Sequence, residues 1–342
     1  MIRNARTLAR ALALAAALTL VAGTARAGDA AASTGTGTSA DTASAATTAA
    51  EPRVYHRTMQ INGLDIFYRE AGPADAPVVL LLHGFPTSSH MYRDLIPRLA
   101  GEFRVIAPDY PGYGESATPG RDEYDYTFAN AAAIVEKLLE QLGVERFSVY
   151  LMDYGAPVGY RLFERNPEAV QSFIIQNGNA YDEGLRDFWE PIKAYWADPT
   201  QENRDALRGL LTLEATKWQF YTGARTPEVI SPDNWNHIQP KLDRPGNDEI
   251  QLDYFYDYRT NVERYPEWQR LFREHQPPAL ITWGEGDFIF PAEGAYPYQR
   301  DLEDVELHIL DTGHFALEED GDLIATLMID FLRRKIVDAD DE

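Results

Sequence analysis

The sequence predicts an α/β fold: a mostly parallel sheet with helices on both faces, interrupted by one inserted helical cap. Three observations lead there. Short apolar runs alternate with helical patterns from about residue 58 to 178 and again from 279 to 334. Some of those runs, Pro77 to Leu82 among them, are apolar throughout, as strands covered on both faces must be. Between Asn179 and about His275 the alternation stops, and this stretch holds five of the six tryptophans and seven of the nineteen tyrosines.

The chain begins with a pattern expected of an export signal. Arg3, Arg6 and Arg10 give a positive start, Ala11 to Ala22 an apolar centre, and Ala25-Arg26-Ala27 a small-x-small cleavage site. Residues 1–27 therefore read as a signal peptide, and the mature chain as periplasmic or secreted. The apolar run is short for a membrane span, so no membrane association is expected of the mature form. Residues 28–50 are almost wholly Ala, Ser, Thr and Gly and read as a disordered linker. The formal charge of −23 becomes more negative when the four arginines of the leader are removed. Such a surface repels nucleic acid and anionic lipid. With no cysteine in the chain, disulfides, thiol catalysis and thiolate metal sites are all excluded.

Taken in order, residues 51–178 and 276–337 form the expected core, 179–275 the cap and 338–342 an acidic tail. Thr58–Ile61 and Leu64–Tyr68 flank Asn62-Gly63, a two-residue hairpin signal. The strand ending at Leu82 runs into His83-Gly84-Phe85-Pro86, and a helical pattern follows from Ser88 to Leu99. Arg104–Ala107 is the next strand, closing in Asp109-Tyr110-Pro111-Gly112-Tyr113-Gly114. Thr127–Leu142 has apolar residues along one face, as a helix packed on a sheet requires. Phe147–Tyr150 is a strand that meets a helix beginning at Tyr154, and Val170–Gln176 is the strand after it. Beyond the cap come a strand at Ala279–Trp283, a helix near Ala292–Asp301, a strand at Val305–Leu310 and a helix over Leu323–Arg334. Ligands of such sheets bind beyond the carboxyl ends of the strands.

Three post-strand loops carry candidates for chemistry: Asp153 in Leu151-Met152-Asp153-Tyr154-Gly155, Asp287 in Gly284-Glu285-Gly286-Asp287, and His314 in Thr312-Gly313-His314. A tight strand-to-helix turn would lift Asp153 clear of the sheet edge. An ionised aspartate needs no base to attack an sp³ carbon, and the product is an ester of the protein. His314, oriented by Asp287, could then draw a proton from water and release that ester. No Gly-x-Ser-x-Gly occurs, so a serine nucleophile is not supported. The histidines show no ligand spacing, and neither metal nor cofactor is implied.

These residues, with the His83–Pro86 block and the Asp109–Ser116 loop, resemble the branch of the α/β-hydrolases that contains epoxide hydrolases and haloalkane dehalogenases. The resemblance runs from residue 58 to 335 and implies a covalent alkyl-ester mechanism with Asp153, Asp287 and His314 as triad. It also implies that the backbone N–H groups of Phe85 and Tyr154 form the oxyanion hole. Leu151 departs from the pattern, because a small residue is usual just before the turn.

The cap would decide what leaves the attacked carbon. An epoxide oxygen needs a proton, which tyrosine can give; a halide needs only N–H or O–H donors, which suits tryptophan. Asp257-Tyr258-Arg259-Thr260-Asn261 resembles the segment that carries a ring-opening tyrosine, which makes Tyr258 the first leaving-group donor. The second is expected from Ala215–Tyr221, with Tyr221 favouring an epoxide and Trp218 a halide. Tyr154, where most dehalogenases have tryptophan, tilts the reading towards opening of epoxides to diols, with a small, mostly apolar substrate and water as partners. Haloalkane dehalogenation is the alternative, and a hydrolase-fold protein that binds without turnover the second.

Overall fold

The computed structural model describes residues 52–338. The expected leader and linker, and all of the acidic tail beyond Asp338, lie outside the described residues. Eight strands form one sheet: β1 (Tyr55–Ile61), β2 (Leu64–Ala71), β3 (Val78–Leu82), β4 (Arg104–Pro108), β5 (Phe147–Met152), β6 (Val170–Gln176), β7 (Ala279–Gly284) and β8 (Val305–Leu310). Their order is β1-β2-β4-β3-β5-β6-β7-β8. β2 is antiparallel to both neighbours, and every other pair is parallel. The β1–β2 turn is made by Asn62 and Gly63, both at positive φ (53° and 83°), the conformation a tight hairpin requires. β5, at the centre, is buried at every residue.

The core helices are α1 (Leu95–Leu99), α2 (Phe128–Gln141) and α3 (Gly155–Arg165). Between β6 and β7 the chain is helical, with α4 (Glu190–Ala197), α5 (Gln201–Asp205), α6 (Leu213–Tyr221), α7 (Asp233–Leu242), α8 (Asn247–Asp257), α9 (Arg259–Val262) and α10 (Tyr265–His275). α11 (Tyr298–Asp301) and α12 (Leu317–Leu332) complete the core.

Three helices differ from the sequence reading. The helix expected over Ser88–Leu99 is a 3-10 turn at Ser89–Tyr92 followed by α1. The buried Asp109 carboxylate accepts from Ser89 N at 2.7 Å, and Ser88 caps His90 N, so the backbone donors of that turn go to side chains instead of a continuing helix. The helix expected over Ala292–Asp301 is likewise split, into a 3-10 turn at Ala292–Gly294 and the short α11, with Pro297 just before α11. α12 starts six residues earlier than expected. Its first turn carries Glu318, Glu319 and Asp320, whose charges suit the positive end of a helix, and it kinks at Asp320.

Close packing fixes the turn between β5 and α3. A Cβ on Gly155 would lie 2.0 Å from the Leu82 carbonyl oxygen of β3, so α3 rests directly on the neighbouring strand. Leu151, the departure noted above, finds its room at Gly159: a Cβ there would come within 2.1 Å of Leu151 Cδ2. The large residue before the turn is thus matched by an absent side chain one helical turn into α3. Gly155→Ala is expected to cost ~3 kcal/mol of folding free energy, because its obstacle is backbone and cannot rotate away. A urea melt checks this; an unchanged midpoint would show that α3 can lift off β3 freely.

Candidate active site

Asp153 sits between β5 and α3 with φ +51°, a left-handed conformation uncommon for any residue but glycine. That turn points its side chain towards the His83–Pro86 loop. Gly84 makes the approach possible, since a Cβ there would fall 2.3 Å from Asp153 Cβ. Phe85 N and Tyr154 N both donate to Asp153 Oδ1, at 2.7 and 2.6 Å. Oδ2 accepts no such bond and lies 3.7 Å from His314 Nε2. The two carboxylate oxygens are therefore unlike: one is held by two N–H groups, the other by none among the described residues.

The His83 loop is itself secured by a neutral imidazole. Burial drives His83 down to about 3. Its ring therefore donates from Nδ1 to Gly84 O (3.2 Å) and accepts at Nε2 from Tyr110 N (3.3 Å). One side chain thus ties the donor loop to the loop after β4.

His314 Nδ1 lies 2.7 Å from Asp287 Oδ2. The same oxygen accepts from Asn177 Nδ2 at 2.7 Å, while Asp287 Oδ1 accepts from Ile289 N and Phe290 N at 2.7 and 3.1 Å. Sequence reasoning missed Asn177. Its signal was Asn177-Gly178 directly after a strand, and the residue indeed has a positive φ of 48°. Its amide also accepts from Gly284 N, which joins the ends of β6 and β7. His314 Nε2 is buried and has no hydrogen-bond partner among the described residues, so it faces Asp153 with a free lone pair.

Burial raises the Asp153 carboxyl to about 6, although His314 and the two N–H donors favour its charged form. Burial works against a charged His314, but the charge and hydrogen bond of Asp287 and the charge of Asp153 together outweigh it, so the ring is raised above 6.5.

The cap lies directly on these loops. Its turn at Gly223 has φ +77°, and a Cβ there would lie 2.0 Å from Gly286 O. A Cβ on Gly313 would lie 2.4 Å from Thr222 O, so glycines flanking Asp287 and His314 let the cap backbone touch both loops. The Glu319 carboxylate then joins the pieces, accepting from Arg225 N (3.2 Å), Thr226 N (2.6 Å) and Thr312 Oγ1 (2.5 Å). Phe220 stacks on Phe315, next to His314, with ring centroids 4.0 Å apart.

Tyr258 is buried, with its ring 5.9 Å from that of Tyr154. Its segment is bound to the core on both sides: Phe128 N donates to Asp257 Oδ2 (2.8 Å), and the buried Arg161 donates to Asn261 Oδ1 (2.6 Å) and Thr260 Oγ1 (3.0 Å). The other two cap candidates are placed elsewhere. Tyr221 is 39% exposed and packs on Trp235, so it does not face Asp153. Trp218 lies between Phe188 and Phe288, at ring distances of 6.1 and 5.8 Å. The phenol nearest Tyr258 is instead Tyr265, 3.5 Å away between hydroxyl oxygens. Among the described residues no group of three or more His, Asp or Glu side chains could hold a metal ion.

The chain belongs to the α/β-hydrolase family: the family model described as the alpha/beta hydrolase fold matches residues 77–321. Within that family its relatives include haloalkane dehalogenases. It is 41% identical over 269 residues to an uncharacterised hydrolase of Saccharomyces cerevisiae, a match that covers 77% of this chain and 92% of that one. It is also 41% identical over 284 residues to a haloalkane dehalogenase of Psychrobacter cryohalolentis, covering 79% and 88%. Among solved structures, Cfl2 from Burkholderia cenocepacia superposes with a TM-score of 0.68 at 26% identity, over 81% of this chain and 95% of that one. The epoxide hydrolase CorEH shares the fold, with a TM-score of 0.67 at 22% identity over 82% and 99%.

Proposed function

We propose that this enzyme opens epoxides to diols through an alkyl ester on Asp153. Oδ2 attacks a ring carbon, the ring C–O bond breaks, and Tyr258 gives its proton to the freed oxygen. His314 then takes a proton from water, which attacks the ester carbonyl at Asp153 Cγ. The carbonyl oxygen of that ester is Oδ1, the atom already held by Phe85 N and Tyr154 N, so the donors need not move to meet the developing charge. Each such donor is typically worth a few kcal/mol.

The observation that favours an epoxide over a halide concerns the indoles around Tyr258. Trp189 and Trp196 flank its ring at 4.4 and 6.0 Å. Trp189 Nε1 donates to Ile289 O at 2.8 Å and Trp196 Nε1 to Phe255 O at 2.7 Å. With both N–H groups engaged, the donors left beside the nucleophile are phenols, and a phenol can surrender a proton. Carbon–halogen hydrolysis is the second reading, supported by the Psychrobacter relative. Styrene-type and aliphatic epoxides assayed beside short bromoalkanes, with Asp153→Ala as control, separate the two. Diol without halide release is expected; halide release with every epoxide left intact would sink the proposal.

A pH prediction follows from the two shifts. Attack requires ionised Asp153, so it is lost as pH falls through about 6. Hydrolysis requires neutral His314, so it is lost as pH falls through a value above 6.5. Hydrolysis therefore fails first, and ester should accumulate on the mildly acidic side. Esterification removes the Asp153 charge and so narrows this window, while the Asp287 carboxylate still favours the charged ring. Acid-quenched intact mass at graded pH reads the ester directly; an ester fraction that does not change with pH would contradict the assignment.

A further inference from the structure

The steps above make no use of Tyr265 or Asn179. Tyr265 opens α10 and is buried, and its hydroxyl accepts from Asn179 Nδ2 at 3.0 Å. The Asn179 amide has its orientation fixed from outside: Nδ2 also donates to Tyr181 O at 2.8 Å, and Oδ1 accepts from Tyr181 N at 3.4 Å. Space for that amide is kept by two glycines, since a Cβ on Gly184 or Gly294 would meet Asn179 Oδ1 at 2.2 or 2.9 Å. Because the amide nitrogen can only donate, Tyr265 keeps its own hydrogen to give away. The Tyr258 oxygen, 3.5 Å distant, is an acceptor within reach.

We propose that Tyr265 is a positioning residue for ring opening: set by Asn179, it donates to the Tyr258 oxygen and shares the charge left there when the Tyr258 proton passes to the opened epoxide. The proposal rests on the epoxide reading. In that step the new C–O bond at Asp153 Oδ2 replaces the ring C–O bond, whose electron pair goes to the freed oxygen with the Tyr258 proton. Negative charge thus moves from Asp153 to Tyr258. In hydrolysis the Cγ–Oδ2 bond breaks as water adds to Cγ; of the two protons that water gives up, one goes to the diol oxygen that leaves and the other restores Tyr258, so no other reactant is needed. Burial opposes a charged Tyr258, as do the Tyr265 charge and a bond in which Tyr265 receives the Tyr258 hydrogen; with its own hydrogen turned to Tyr258, Tyr265 stabilises that charge instead. Around the Tyr265 hydroxyl, burial and Asp182 oppose negative charge, while the Tyr258 hydroxyl, Asn179 and the Arg161 guanidinium favour it.

Tyr265→Phe removes the donor and keeps the ring. In the full chain, rapid-quench single turnovers with a styrene-type epoxide should show ester formation about tenfold slower, the usual worth of one hydrogen bond, with ester hydrolysis unchanged. Asn179→Asp, which replaces the donor with an acceptor that claims the Tyr265 hydrogen, should produce the same selective loss. Wild-type ester formation in Tyr265→Phe, or an equal fall in both steps, overturns the proposal while leaving the epoxide reading intact. A wild-type chain that opens no epoxide overturns both.

Discussion

With His314 replaced by glutamine, the chain is expected to stop at the ester: after exposure to an epoxide its mass rises by one substrate, and diol appears roughly 10²–10⁴ times more slowly. The two backbone donors to the nucleophile survive this change, because Phe85 N and Tyr154 N bind Asp153 Oδ1 without help from the histidine, though Asp153 loses the His314 charge that favours its ionised form. What is lost is a free lone pair 3.7 Å from Oδ2, and glutamine cannot act as a base. Peptide mapping should place the added mass on the segment that holds Asp153. A variant that turns over normally, or never gains mass, would remove His314 from the hydrolytic step.

Asp153→Ala is expected to lose the ester altogether and to lower turnover by on the order of 10⁵ or more, as removal of a covalent nucleophile does in other hydrolases. The companion measurement is a wild-type single turnover in ¹⁸O-labelled water. Attack of water on the ester carbonyl puts the first label into Asp153, and the diol becomes labelled only in later cycles. Label passing straight into the diol while Asp153 stays unlabelled would mean that water attacks the substrate itself and that Asp153 is only a base.

The fold was legible because its signals are local and repeated. Asn62-Gly63 marks a hairpin, and the apolar run through Leu82 marks a covered strand. The Asp153, Asp287 and His314 loops were legible for a related reason: each directly follows a strand, so chain order alone delivers them to one edge of the sheet. The structure brings these three together with Phe85 N and Tyr154 N. Other features depend on which way a helix faces. α6 carries Trp218, Phe220 and Tyr221 on different faces, and sequence spacing could not say that Phe220 is the residue beside the histidine loop. Nor could it pair Leu151 with Gly159, since that match is one of volume. Tyr265 was overlooked because its meaning comes from Asn179, 86 positions away.

The contact of Gly223 with Gly286, and of Thr222 with Gly313, bears on how this enzyme can change over generations. Backbone pressed against backbone leaves no space for a side chain, so this end of the lid is fixed to the loops that carry Asp287 and His314. The first cap helices, α4 and α5, belong to no such junction. Substitutions on the exposed faces of those two helices are expected to leave the Asp287 and His314 loops in place. Change is therefore easier at one end of the lid than at the other.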